Sequence, residues 1–192
     1  MPATKAKQAL VVLAGGAEEM EAVIPVDVLR RAGVQVTLAG LAGEGPVVCS
    51  RGVRLLPDRS LASALGEGRV YDLVLLPGGA RGAEALARSA EVKELLLAQD
   101  RAGRLVAAIC AGPRALQAAG VIRERAFTSH PAVREELAPA GDYREERVVR
   151  AENLVTSRGP GTALAFALAL VEALLGREMA ERVAGPMLVE DW

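Results

Sequence analysis

The 192-residue chain has almost no net charge: 23 Lys and Arg against 24 Asp and Glu leave -1. It therefore offers no basic field, which excludes nucleic acid as a dedicated partner and argues against a membrane surface. Cysteine is nearly absent, with only Cys49 and Cys110, far apart in sequence. That excludes a disulfide-stapled secreted scaffold and points to a reducing, cytoplasmic compartment, or to nucleus or mitochondria in a eukaryotic cell. Histidine is rarer still: His130 is the only one, so any imidazole catalysis must use it. Long hydrophobic runs are missing. The longest, Ala163 to Leu175, carries Glu172 and falls short of the ~20 residues that span a bilayer. The stretch Met1 to Gln8 is polar and basic, with no apolar signal core.

What is present is an alternation of short apolar runs with amphipathic segments. The runs are Ala9 to Leu13, Val34 to Ala39, Leu73 to Leu76 and Leu105 to Ile109; the amphipathic segments are Met20 to Arg31, Val92 to Arg101 and Arg114 to Ala119. This pattern predicts one α/β domain over residues 1–192, with a mainly parallel sheet sandwiched by helices. Two short strands around a turn at Arg51-Gly52 form a small β excursion near residues 46–57. After a charged stretch from Tyr143 to Arg150 come a strand over Leu154 to Thr156, a Gly159-Pro-Gly161 turn and a long helix stopped by Gly176.

Cys110 falls where an apolar strand ends and a helix begins. Ala108, Ala111 and Gly112 give the pattern small-x-Cys-x-Gly, analogous to the serine elbow of hydrolases. A helix N-terminus behind the sulfur is expected to favour thiolate over thiol. Other loops that follow strands should converge on it: Gly15 to Glu21, Leu76 to Gly79, and Ser129-His130. Leu76 to Gly82 is glycine-rich, yet matches neither the dinucleotide nor the Walker phosphate pattern. Its second use is to bring the Gly79 N–H to the reacting centre, where with the Ala111 N–H it can hold an oxyanion.

Each of these residues also has a plain structural reading. A free cysteine is among the most buried residue types, and an acid at a helix start ordinarily complements the dipole, whether Glu18, Glu19 or Glu21. His130 in a Ser-His-Pro turn reads equally as a loop residue. Arg31 and Arg51 are candidate anion binders near the site, with solvated or dimer-interface arginines as the default. Cys49 reads as a minor surface or interface thiol.

Taken together, Ala17-Glu-Glu-Met-Glu-Ala-Val-Ile-Pro-Val-Asp27, Leu75 to Gly79, Ala107 to Pro113 and Thr156 to Gly161 resemble the parkinsonism-associated deglycase branch of the ThiJ/PfpI superfamily. The resemblance runs over nearly the whole chain. It implies a flavodoxin-like (Rossmann-like) fold, a homodimer and a reactive Cys110 partnered by Glu21, with His130 in the pocket and Gly79 and Ala111 as backbone donors. It further implies a glutathione-independent glyoxalase and protein deglycase that acts on methylglyoxal-type α-oxoaldehydes, with no metal or organic cofactor. Glycated or misfolded proteins are the implied macromolecular partners. A buried carboxyl beside a thiol is expected to stay protonated near neutrality, able to move a proton or to hydrogen-bond an oxidised sulfur. The resemblance thus also admits oxidation of Cys110 to sulfinate in oxidative stress.

Three alternatives use the same thiol. One is a non-enzymatic redox sensor and chaperone. Another is a cysteine peptidase masked by the C-terminal helix around Arg177 to Val183. The third, an amidotransferase, normally needs a His-x-Glu segment, and His130-Pro131-Ala132 lacks the glutamate.

Overall fold

Strands that must be covered on both faces are built from contiguous apolar residues, and three such runs, Ala9 to Leu13, Leu73 to Leu76 and Leu105 to Ile109, form the centre of this fold. The computed structural model describes residues 6–192. Met1 to Lys5, the beginning of the polar stretch noted above, lie outside the described residues. In chain order the strands are β1 (Gln8–Leu13), β2 (Gln35–Gly40), β3 (Val47–Val48), β4 (Arg54–Leu55), β5 (Arg59–Ser60), β6 (Leu73–Leu76), β7 (Leu105–Ile109), β8 (Ala126–Phe127), β9 (Asp142–Tyr143), β10 (Val148–Ala151) and β11 (Leu154–Ser157). The α-helices are α1 (Glu19–Arg31), α2 (Leu61–Leu65), α3 (Ala80–Arg88), α4 (Ala90–Arg101), α5 (Pro113–Ala118), α6 (Arg134–Leu137), α7 (Ala163–Leu175) and α8 (Arg177–Ala184).

Seven strands make one sheet in the order β10-β11-β7-β6-β1-β2-β5, parallel except for the antiparallel pair β10 and β11. Side chains alternate between its faces. Leu10, Val12, Val74, Leu76, Val106 and Ala108 enter one core, while Ala9, Val11, Leu73, Leu75, Ala107 and Ile109 enter the other. Residues of α2 to α6 cover the first face, and those of α1, α7 and α8 cover the second. The chain runs from β1 to β2 on one side and returns to β6 on the other. The carboxyl ends of β1 and β6 thus flank a crevice of the kind where α/β sheets bind ligands.

The excursion near residues 46–57 is the β3–β4 hairpin, a separate two-stranded sheet. Two segments differ from the sequence expectation. Part of the charged stretch Tyr143 to Arg150 folds as β9 and the start of β10; only Val149 of β10 is buried, as an edge strand allows, so no apolar run announces it. Helix α3 is the other, since Ala, Gly and Arg dominate it and only Gly82, Ala83 and Leu86 are buried. Among the described residues no helix is long and apolar enough to cross a membrane.

Candidate active site

Three acidic residues at the start of α1 have three different jobs. Glu18 is the N-cap: its carboxylate accepts the Glu21 N–H at 2.9 Å. Glu19 reaches the β3–β4 hairpin, accepting from Ser50 Oγ at 2.8 Å and from the Arg51 N–H at 2.9 Å. Burial pushes the Glu19 carboxyl up, but these bonds, with those from its own N–H and that of Val53, outweigh it and hold the group below the usual value. Glu21 points inward and is fully buried. Its Oε2 accepts the Gly78 N–H at 2.8 Å, Oε1 has no hydrogen-bond partner, and the carboxyl shares the Gly78 backbone with Cys110 as a neighbour.

Cys110 occupies a left-handed conformation, φ +62°, which strains a residue with a Cβ. Both of its backbone groups are engaged. Its N–H donates to Ser157 O at 3.0 Å, and its carbonyl accepts from the His130 N–H at 2.9 Å. The elbow is thereby clamped between the end of β11 and the loop after β8. The N–H groups of Gly79 and Ala111 both act to lower the pKa of the thiol. Gly78 admits no side chain: a Cβ there would sit 2.5 Å from Cys110 Cβ and 2.6 Å from Glu21 Oε2. Its carbonyl also accepts the Glu18 N–H at 3.1 Å, so one glycine joins the β1, β6 and β7 loops.

At Cys110, burial and then the charge of Glu21 push the thiol up to about 12, against the Gly79 and Ala111 N–H groups. Helix α5 behind it has only six residues and opens with Pro113, which has no N–H, so its dipole is a weak counterweight. Glu21 is pushed up to about 7, first by burial and further by Glu18, with Gly78 and Cys110 acting against the rise. The pair gives up one proton near neutrality and holds the other far above it.

Of the remaining candidates, His130 is half-buried and its Nδ1 accepts the Ala132 N–H at 3.1 Å. Among the described residues its ring makes no hydrogen bond to Cys110 or Glu21. Arg31 lies in the last turn of α1, exposed and paired with Asp27 at 2.7 Å, at the end of the helix away from Glu21 of its own chain. The Asp27 to Arg31 spacing is that of an ordinary helix-surface ion pair. Arg51 is held by its backbone to Glu19, and it borders a cavity of about 620 Å³ that neither Cys110 nor Glu21 lines. Arg81, not singled out from the sequence, borders the same cavity. Cys49 is buried; burial, then Glu19 and Glu18, raises its thiol. Among the described residues no group of three or more His, Cys, Asp and Glu side chains is placed to hold a metal ion.

A family model described as the DJ-1/PfpI family matches residues 7–173. The chain belongs to that family. The Parkinson disease protein 7 homolog of Danio rerio is 53% identical over 188 residues, covering 96% of this chain and 98% of the relative. The glutathione-independent glyoxalase DJR-1.2 of Caenorhabditis elegans is 40% identical over 183 residues, covering 94% and 96%. Among solved structures, Drosophila melanogaster DJ-1beta superposes with a TM-score of 0.93 at 48% identity, covering 97% of this chain and 100% of that one. The parallel sheet between helix layers is the flavodoxin-like fold of the DJ-1/PfpI family.

Proposed function

We propose that this protein is a glutathione-independent glyoxalase, with protein deglycation as a further use of the same chemistry. The observation that carries the reading is the buried Glu21–Cys110 pair with its three backbone donors. A relative named for glyoxalase activity at 40% identity supports it. The sulfur adds to the aldehyde carbon of an α-oxoaldehyde such as methylglyoxal; its proton ends on the new hydroxyl, and a hemithioacetal forms. Glu21, as carboxylate, removes the proton on that carbon to give an enediol and returns it to the neighbouring carbon. The product is a thioester of the 2-hydroxy acid, which water cleaves to lactate and free thiol. No electrons are gained or lost overall, so the chain's own residues suffice. The Gly79 and Ala111 N–H groups, aimed at the sulfur, also serve the oxygen that becomes charged beside it.

His130, with its ring nitrogen given to its own loop, acts in this scheme as a lining residue. Oxidation of Cys110 to sulfinate is a second use of the site, favoured by the unpartnered Oε1 of Glu21 and the partial exposure of the thiol. We take the acting species to be a homodimer. Met20 and Val23 of α1 and Val53 and Leu56 of the hairpin are exposed large apolar side chains, on two segments that Glu19 ties together. The two unbridged thiols suit a reducing compartment such as the cytoplasm.

The deciding test is lactate formation from methylglyoxal by wild type, Cys110→Ala and Glu21→Gln in parallel. Wild-type turnover that both substitutions abolish supports the scheme. Equal lactate from Cys110→Ala and wild type overturns the enzyme reading, and an active Glu21→Gln overturns the proton shuttle.

A further inference from the structure

The cavity bordered by Arg51 and Arg81 has no part in the thiol chemistry. It is bounded by the loop after β1 (Gly15, Gly16), the β3–β4 hairpin and the first turn of α3, at the crevice between the carboxyl ends of β1 and β6. Two arginines and no acidic residue line it, and Glu19 meets its wall from outside by accepting from Ser50 Oγ and the Arg51 N–H. Both arginines have spare donors. Among the described residues the Arg81 side chain makes no hydrogen bond or ion pair, and the Arg51 side chain makes one long bond, 3.4 Å to Ser50 O. A doubly charged oxyanion in the cavity takes charge-assisted hydrogen bonds from guanidinium forks of this kind. The first turn of α3 adds backbone N–H groups that no side chain caps. Gly15 and Gly43 leave the walls open, with nothing within 4 Å of where a Cβ would lie.

We propose that this cavity binds a phosphate group, from inorganic phosphate or from a small phosphate monoester, independently of Cys110. The glycine-rich Leu76 to Gly82 segment, which carries neither standard phosphate pattern, contributes through Arg81 and the helix start rather than through a glycine loop.

The test is calorimetric titration of the full chain with inorganic phosphate and, separately, with methyl phosphate, at an ionic strength held constant with chloride. Saturable one-to-one binding is expected in wild type and in Cys110→Ala. Affinity should fall about tenfold or more in Arg81→Ala and in Arg51→Ala, from the charge-assisted hydrogen bonds each loses. Both side chains are exposed, so unchanged melting without phosphate verifies that these variants fold. Gly15→Asp, which finds room for its Cβ, places a carboxylate on the wall and should abolish binding. Methyl phosphate binding at least as tightly as inorganic phosphate assigns the site to monoesters; binding of inorganic phosphate alone assigns it to the free ion. No saturable heat with either probe, unchanged affinity in both arginine variants, or loss of binding in Cys110→Ala overturns the proposal. Failure of lactate formation leaves it untouched, since binding is read without turnover.

Discussion

Replacing Glu21 by glutamine should make the protein more stable and less active, and the sign of the first effect is set by pH. Glutamine keeps the size and the carbonyl oxygen that accepts the Gly78 N–H, but it cannot ionise. In the unfolded chain the glutamate titrates near 4.5, and in the fold burial lifts it to about 7. Between these values the folded state binds more protons than the unfolded one. Its contribution to stability is therefore fully present below 4.5 and is lost as pH rises through 7. At 1.36 kcal/mol per pH unit, the gap is worth about 3 kcal/mol, of which about 2 to 3 kcal/mol is lost between pH 5 and pH 8. Glutamine loses none of it. Urea unfolding of both proteins at the two pH values should show Glu21→Gln gaining on wild type by that amount as pH rises. For a chain of this length it corresponds to about 5 to 10 °C in melting temperature at pH 8. Lactate formation by the same variant should fall by about 10² to 10⁴, the usual contribution of a positioned acid–base group. A stability difference that stays constant from pH 5 to pH 8 would refute the claim that a charged Glu21 is held against its desolvation.

Further perturbations read other parts of the site. The value of kcat/KM for methylglyoxal should rise with pH through about 7, as the pair loses its first proton, and this rise should vanish in any residual activity of Glu21→Gln. Gly78→Ala forces a Cβ to within 2.5 Å of Cys110 Cβ; chemical denaturation should show a loss of about 1 to 3 kcal/mol, accompanied by loss of turnover. Cys110→Gly relaxes the φ of +62° and should melt above Cys110→Ala, with both inactive; the reverse order would argue that the elbow is unstrained. Under mild peroxide, intact-mass and peptide analysis should find two added oxygens on Cys110 before Cys49, which is buried.

The centre of the fold is legible in sequence because burial on both faces makes β6 and β7 contiguous apolar runs with unambiguous ends. Strand β10 and helix α3 are not, since each exposes most of its residues and neither period stands out. At the site, the small residues around Cys110 announce a tight turn by composition alone. Glu21 is different. Glu18, Glu19 and Glu21 are equivalent by composition and position near a helix start, and only the family resemblance singles out one of them. What separates them is contact with residues distant in sequence: Ser50 and Arg51 for Glu19, Gly78 and Cys110 for Glu21. The Arg31 pair with Asp27 is legible from helix spacing alone, since Asp27 lies one turn before it. The depth of the thiol is hidden for a related reason, because a short elbow shows its helix in sequence but not the burial that pushes the thiol up.

That burial makes the chemistry clearer. A thiol pushed up to about 12 looks inert, yet the value belongs to a sulfur facing an already ionised Glu21. Once the pair has lost its first proton, it carries one negative charge and one proton, which a shift within the pair moves between sulfur and carboxyl. Each resting place for the charge has donors of its own: Gly79 and Ala111 at the sulfur, Gly78 at the carboxylate. The shift changes no net charge in the buried site, so it avoids the desolvation that raises both groups against bulk solvent. An aldehyde that bonds to sulfur draws the pair to its thiolate form and leaves the carboxyl protonated. Transfer of that proton to the new alkoxide returns Glu21 to the carboxylate that the next step requires. The glutamate therefore activates the nucleophile and resets itself as base in one motion, which a cysteine with an independently depressed pKa would not accomplish.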